Sequence, residues 1–140
     1  MIALRERAER EVLGLHAFFE QWFRGELDKT DEAFARCARA LQGGFEMVPP
    51  NGARVGREAI LSAIHDAHGG RGRGFSIRIE GFEVVRESGA HVLVAYEEHQ
   101  DDTDRDEHTI RVSTALLLRD PEAPSGVVWR WLQETWRPAS

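Results

Sequence analysis

The chain has 140 residues, 41% hydrophobic and 30% charged, a balance that suits a folded domain and excludes both a disordered chain and one built to span a bilayer. Eighteen Lys and Arg face 24 Asp and Glu, so the formal charge is −6 and the basic surplus of a nucleic-acid-binding protein is missing. The one cysteine, Cys37, permits no internal disulfide and no cysteine cluster for zinc.

No repeat, low-complexity tract or linker divides the sequence, so residues 1–140 are expected to form one domain. The opening residues alternate charge sign and carry no apolar run, which predicts a cytoplasmic protein without a secretory signal. Leu4, Ala8, Val12, Leu15, Phe19 and Trp22 recur at spacings of four and three, the stripe of a first helix, and His16 flanks it. Thr30 followed by Asp31 and Glu32 is an N-cap with first-turn acids. Phe34, Cys37, Ala38 and Leu41 draw a second helix that Gly43-Gly44 is expected to stop.

Phe45 to Val48 reads as a strand, Pro49-Pro50-Asn51-Gly52 as a turn, and a third helix follows from Arg57 with Ile60, Leu61 and Ile64 inward. Strands are expected near 75–87, 90–101, 107–119 and 127–137, the first two joined by a Ser88-Gly89 hairpin turn. The order ααββαββββ predicts an α+β fold: three helices packed on one face of an antiparallel sheet.

Loop lengths then predict the register. Ile79 falls opposite Glu98, Tyr96 opposite Arg111, and Ser113 opposite Gln133. One face so carries Tyr96, Glu98, Arg111, Ser113, Trp131 and Gln133, and is assigned to the helices and a cavity. The other carries Leu93, Val112, Thr114, Leu116, Leu132 and Trp136, an apolar surface assigned to a second copy in a homodimer. A one-residue slip, or a bulge near Gly81, would exchange the faces.

Two roles suit the polar set. Glu98 serves as base with Tyr96 or Arg111 as electrophile for a carbonyl oxygen, or an Arg111–Glu98 ion pair satisfies polar groups inside the fold. Trp22 and Trp131 would add aromatic walls. His65 and His68 stand three apart with no His-Glu-x-x-His, so no metal and no cofactor is expected. The acidic run Asp101–Glu107 lacks the glycine and closing glutamate of a calcium loop and reads as a solvated hairpin tip. Gly69–Gly74 opens no helix and reads as a flexible connection.

Several residues carry a resemblance: the aromatic first helix with Phe18, Phe19 and Trp22, the Pro-Asn-Gly turn before Gly56-Arg57-Glu58-Ala59-Ile60, Ala95-Tyr96-Glu97-Glu98, Arg111–Ala115, and the ending Trp129–Trp136. Together they resemble the nuclear-transport-factor-2-like superfamily of ketosteroid isomerases, SnoaL-like cyclases and many uncharacterised bacterial proteins. The resemblance implies a cone-shaped, cystatin-like fold with an internal pocket. It leaves open a small-molecule-binding protein, an isomerase, cyclase or dehydratase acting on a cyclic or polyketide-like carbonyl compound, and a non-catalytic association module. Gln133 stands where the resemblance leads one to expect histidine. A small organic ligand is the expected partner, with neither nucleic acid nor membrane.

Overall fold

Helix α1 (Leu4–Phe23) forms where the four-and-three spacing predicts it. Its buried line includes Leu4, Ala8, Val12, Leu15, Phe18 and Trp22, and two polar residues, Glu11 and His16, share it. Gly25, at φ +73°, ends the helix and donates its N–H to the Trp22 carbonyl at 3.0 Å. The structure, a computed structural model, describes residues 2–138. No helix among them is long and apolar enough to cross a membrane.

Helix α2 (Asp31–Ala38) begins at the predicted cap, where the Thr30 hydroxyl accepts the Ala33 N–H at 3.1 Å. It is shorter than its stripe suggests. Leu41 opens strand β1 (Leu41–Val48), and Gly43-Gly44 lies within that strand, at an irregularity in its pairing, and does not terminate the helix. A glycine pair weakens either element, and here it permits a bulge. Strand β2 (Val55–Gly56) leads into helix α3 (Arg57–Asp66), followed by β3 (Phe75–Ser88), β4 (His91–Asp102), β5 (Glu107–Arg119) and β6 (Val127–Arg137).

The element order is the expected one, but the sheet is mixed. Its spatial order is β2-β1-β6-β5-β4-β3, and β1 runs parallel to β6, whereas the other neighbours are antiparallel. The sheet stays open, and the helices pack on one face.

Register decides which side chains meet. The β3–β4 turn falls one residue later than predicted, with Ser88 opposite His91. Two bulges, one spanning Gly81 at φ +65°, then restore Ile79 opposite Glu98 as expected. In β4–β5 the pairing is displaced by two residues: Tyr96 faces Ser113 and Glu98 faces Arg111. A shift of two leaves each side chain on its predicted face. In β5–β6 the predicted register holds near the loop, where Arg119 faces Val127, until a bulge beyond Leu117 and Trp129 shifts it by one. From there Leu116 faces Trp131, Ala115 faces Leu132, and Ser113 faces Glu134. That single residue turns Trp131 and Gln133 outward and brings Leu132 and Trp136 to the inner face, against the expectation for all four, and it brings Glu134 inward with them.

Candidate functional site

Alternation along β4 and β5 places Val92, Val94, Ala115 and Leu117 at the closed end of the inner face, and Glu98, Gln100 and Arg111 toward its open end. Helices α1 and α3 cover this face and leave a cavity of about 420 Å³. Its wall is mainly apolar, with Leu15, Phe19 and Phe23 from α1, Ile60 and Ile64 from α3, Phe45 and Met47 from β1, and Trp129 and Leu132 from β6. The polar lining consists of His16, Glu98, Gln100, Arg111 and Glu134, with Arg71 beside Gly70.

His16 is held from two sides. Its Nδ1 lies 2.7 Å from the Val12 carbonyl, and its Nε2 lies 3.1 Å from Glu98 Oε1. A carbonyl only accepts, so Nδ1 must carry hydrogen. Nε2 then faces a carboxylate oxygen, and the contact is attractive only when one proton lies between them. The pair therefore holds one proton, as imidazolium with carboxylate or as imidazole with carboxylic acid.

Electrostatics favour the first arrangement. Burial works against the imidazolium, but the Glu98 charge and hydrogen bond, aided by the Val12 carbonyl and Glu134, raise the His16 pKa above its ordinary value. Burial also works against the Glu98 carboxylate. The charge and hydrogen bond of His16 outweigh it, with Arg111 and a bond from Gln100 Nε2 at 2.6 Å, and bring Glu98 down to about 2.

Arg111 makes its ion pair elsewhere than predicted. It stands opposite Glu98 on the ladder, yet its Nη1 donates to Glu134 Oε1 at 3.1 Å. Both Glu98 oxygens are already engaged, by His16 and Gln100. Burial and the nearby Glu98 charge raise the Glu134 carboxyl above its ordinary value, against the pull of Arg111 and His16.

Among the predicted residues, Glu98 and Arg111 line the cavity. Tyr96 and Ser113 lie on the same face, buried beside it, and their hydroxyls have no hydrogen-bond partner among the described residues. Burial, then the charges of Glu98 and Glu134, push the Tyr96 phenol well up, so it remains a neutral donor. Trp22 does not reach the cavity. It is wholly buried, stacked on Phe18, and its Nε1 donates to the Ile64 carbonyl at 2.8 Å. Trp131 and Gln133 face outward for the reason given above.

His16, Arg71, Gln100 and Glu134 are the polar lining residues that the sequence reading does not select. His16 does have a sequence signal: four residues after Val12 and three before Phe19, it is a polar side chain on a buried line. Glu134 has none, because its position depends on the β6 bulge.

Other expected features are quieter. His68 Nε2 lies 2.6 Å from the Leu27 carbonyl, and its ring meets Trp22 edge-on. The Gly-Arg connection is tied to the end of α1: the Gly69 and Arg71 N–H groups donate to the Trp22 and Phe23 carbonyls at 3.1 and 2.8 Å. Asp102, at one end of the acidic run, is buried in an ion pair with Arg71 at 2.7 Å. Glu80, Glu97 and His99 bring donor atoms within 4.8 Å of one another on the outer face, where Arg78 and Arg137 already pair with both carboxylates.

The family model described as sucrose-6-phosphate phosphohydrolase C-terminal matches residues 8–138. A probable sucrose-phosphatase 2 of Arabidopsis thaliana is 23% identical over 129 residues, which cover 90% of this chain and 29% of that protein. The chain spans under a third of the length of the curated relatives it matches. Among solved structures, a nuclear-transport-factor-2-like protein of unknown function from Pseudomonas aeruginosa superposes with a TM-score of 0.83 at 27% identity, over 94% of this chain and 99% of that one. A putative scytalone dehydratase from Novosphingobium aromaticivorans gives 0.66 at 11% identity, over 96% of this chain and 84% of that one, a likeness of fold alone.

Proposed function

The chain belongs to the family described as sucrose-6-phosphate phosphohydrolase C-terminal and has the nuclear-transport-factor-2-like fold, and on those premises we propose that it is a small-molecule-binding protein of the cytoplasm whose ligand enters the cavity. The observation that carries this reading is the cavity itself: about 420 Å³, apolar along most of its wall, with His16, Glu98, Arg111 and Glu134 converging on it. That division suits a ligand with an apolar body and oxygen atoms at one end. It suits a sugar phosphate, the class of compound in the relatives' names, much less well, because such a molecule is polar all round and would leave the wall of Phe19, Phe45 and Ile64 without apolar contact.

Native mass spectrometry of the protein incubated with an aryl ketone such as acetophenone is the test. A one-to-one complex is expected in the native chain and is lost in Ile64→Trp, whose indole fills the cavity. Failure of the native chain to retain any such compound would remove the reading.

The His16–Glu98 proton favours a second reading, an isomerase or dehydratase. With His16 as donor to a developing oxyanion, turnover of cyclic ketones should be lost in both His16→Gln and Glu98→Gln.

We also infer a homodimer through the outer sheet face. The support is the rung of Leu93, Leu116 and Trp131 across β4, β5 and β6, with Val112 farther along β5 on the same face and 42% exposed. Light scattering at micromolar concentration is expected to give twice the chain mass, and Val112→Asp to give the monomer. A native chain that scatters as a monomer would contradict the assignment.

A further inference from the structure

The guanidinium of Arg111 is used on one side only. Its Nη1 meets Glu134, its face lies over the Trp136 ring at 5.0 Å, and its Nε is buried with no partner among the described residues. A buried N–H without an acceptor is unusual, and the Nε edge of an arginine is one of the two forks that receive a carboxylate through parallel hydrogen bonds. Trp136 holds the plane of that fork. Glu98, the nearest carboxylate on the ladder, is engaged at both oxygens by His16 and Gln100.

We propose that the cavity takes the carboxylate of an otherwise apolar molecule on the Nε edge of Arg111, and that Glu134 then takes up a proton from solvent. The proposal rests on the ligand-binding reading above and names its ligand class.

The proton follows from the charges present. Glu134 is faced by Glu98 and Tyr96 from β4, by Arg111 from β5 and by His16 from α1, while β1 and α3 offer Met47, Ile60 and Ile64 to the same cavity. His16 with Glu98, and Arg111 with Glu134, make two neutral pairs. An added carboxylate leaves three anions against two cations in a partly buried space, and that excess is unfavourable. Glu134, raised already by burial and by Glu98, is the group placed to accept the compensating proton.

The test compares 3-phenylpropionate with 3-phenylpropanamide, the same body without the charge, by NMR titration from about pH 6 to about pH 8, where the acid stays ionised. In the native chain the carboxylate should bind about tenfold or more tightly than the amide near pH 6, since only the anion can use the fork. Its affinity should fall with rising pH, by up to about tenfold per pH unit, the slope of a one-proton uptake. Glu134→Gln should flatten this fall, leaving only the part that follows the loss of the His16 proton, which is read separately in His16→Gln. Arg111→Lys, which keeps the charge but not the fork, should lose most of the preference for carboxylate. Equal binding of acid and amide, a pH slope that Glu134→Gln leaves unchanged, or full preference in Arg111→Lys would overturn the proposal and leave the cavity reading standing. Binding of neither compound by the native chain would overturn both.

Discussion

Replacing Glu11 by alanine is expected to destabilise the fold by about 3–5 kcal/mol, the range for breaking a buried ion pair at one partner. Glu11 is wholly buried in α1, where its two oxygens accept Arg36 Nη1 and Nη2 from α2 at 3.1 and 3.0 Å. Oε2 also accepts the indole N–H of Trp129 from β6 at 2.8 Å. One carboxylate so joins two consecutive helices to the distant strand β6. Gly14 clears the path of the arginine, since a Cβ there would lie 2.9 Å from Arg36 Nη2.

Alanine strands the Trp129 N–H in the core and leaves the guanidinium without its anion. Arg36 keeps a quarter of its side chain in water, which places the expected loss toward the lower end. Glu11→Gln retains an acceptor for the indole and loses the charge, so about 1.5–3 kcal/mol is expected. Urea melts of the two variants supply the comparison. An alanine variant within about 1 kcal/mol of the native chain would mean the pair is no stronger than a surface contact.

The second large effect concerns pH. Glu98 titrates near its ordinary 4.5 in the unfolded chain and about 2 in the fold, so its ionised form contributes about 3 kcal/mol, present above about pH 4.5 and lost as pH falls toward 2. His16 behaves in the opposite sense. Its folded pKa lies above 6.5, so its contribution is complete below about pH 6.5 and disappears as pH rises through the folded value. Once that proton leaves, a nitrogen lone pair faces the Glu98 anion. Glu134, raised in the fold, adds to the decline, because ionising it favours the unfolded chain as pH rises above 4.5.

Glu98 and His16 together should therefore contribute most between about pH 4.5 and 6.5, and Glu134 tilts that plateau downward from its acid end. Denaturant midpoints of the native chain and of His16→Gln, compared across pH, read it directly. The gap between them should narrow on the alkaline side. A gap that widens from pH 6 to 8 would contradict the assignment of the proton to His16.

The sequence shows some of this arrangement well. The alternation of Val92, Val94, Tyr96 and Glu98 marks one buried face whatever the strand's partner, and Arg111 and Ser113 reach that face because an error of two in register is invisible to a period of two. The bulge in β6 is different. Trp129-Arg130-Trp131 alternates as smoothly as any regular strand, and its irregularity comes from fitting β6 between β5 and a parallel β1, an influence with no local mark. Glu134, Leu132 and Trp136 were inaccessible to reading by alternation for that reason. Glu11 and His16 were accessible, since both interrupt the apolar line of α1 at positions where solvent is excluded.

The parallel pairing of β1 with β6 also sets an order of events at the ribosome. β1 is made early, yet the neighbour that covers its long edge is the last of the described strands to emerge. Until then its only ladder partner among the described residues is the two-residue β2, and an apolar edge containing Phe45 and Met47 waits open to other chains. β6 then brings Trp129 to Glu11 and Glu134 to Arg111 together with that missing edge. A nascent chain short of β6 consequently has neither a finished sheet nor a finished cavity, and the interval before its arrival is when this protein most needs protection from its own copies.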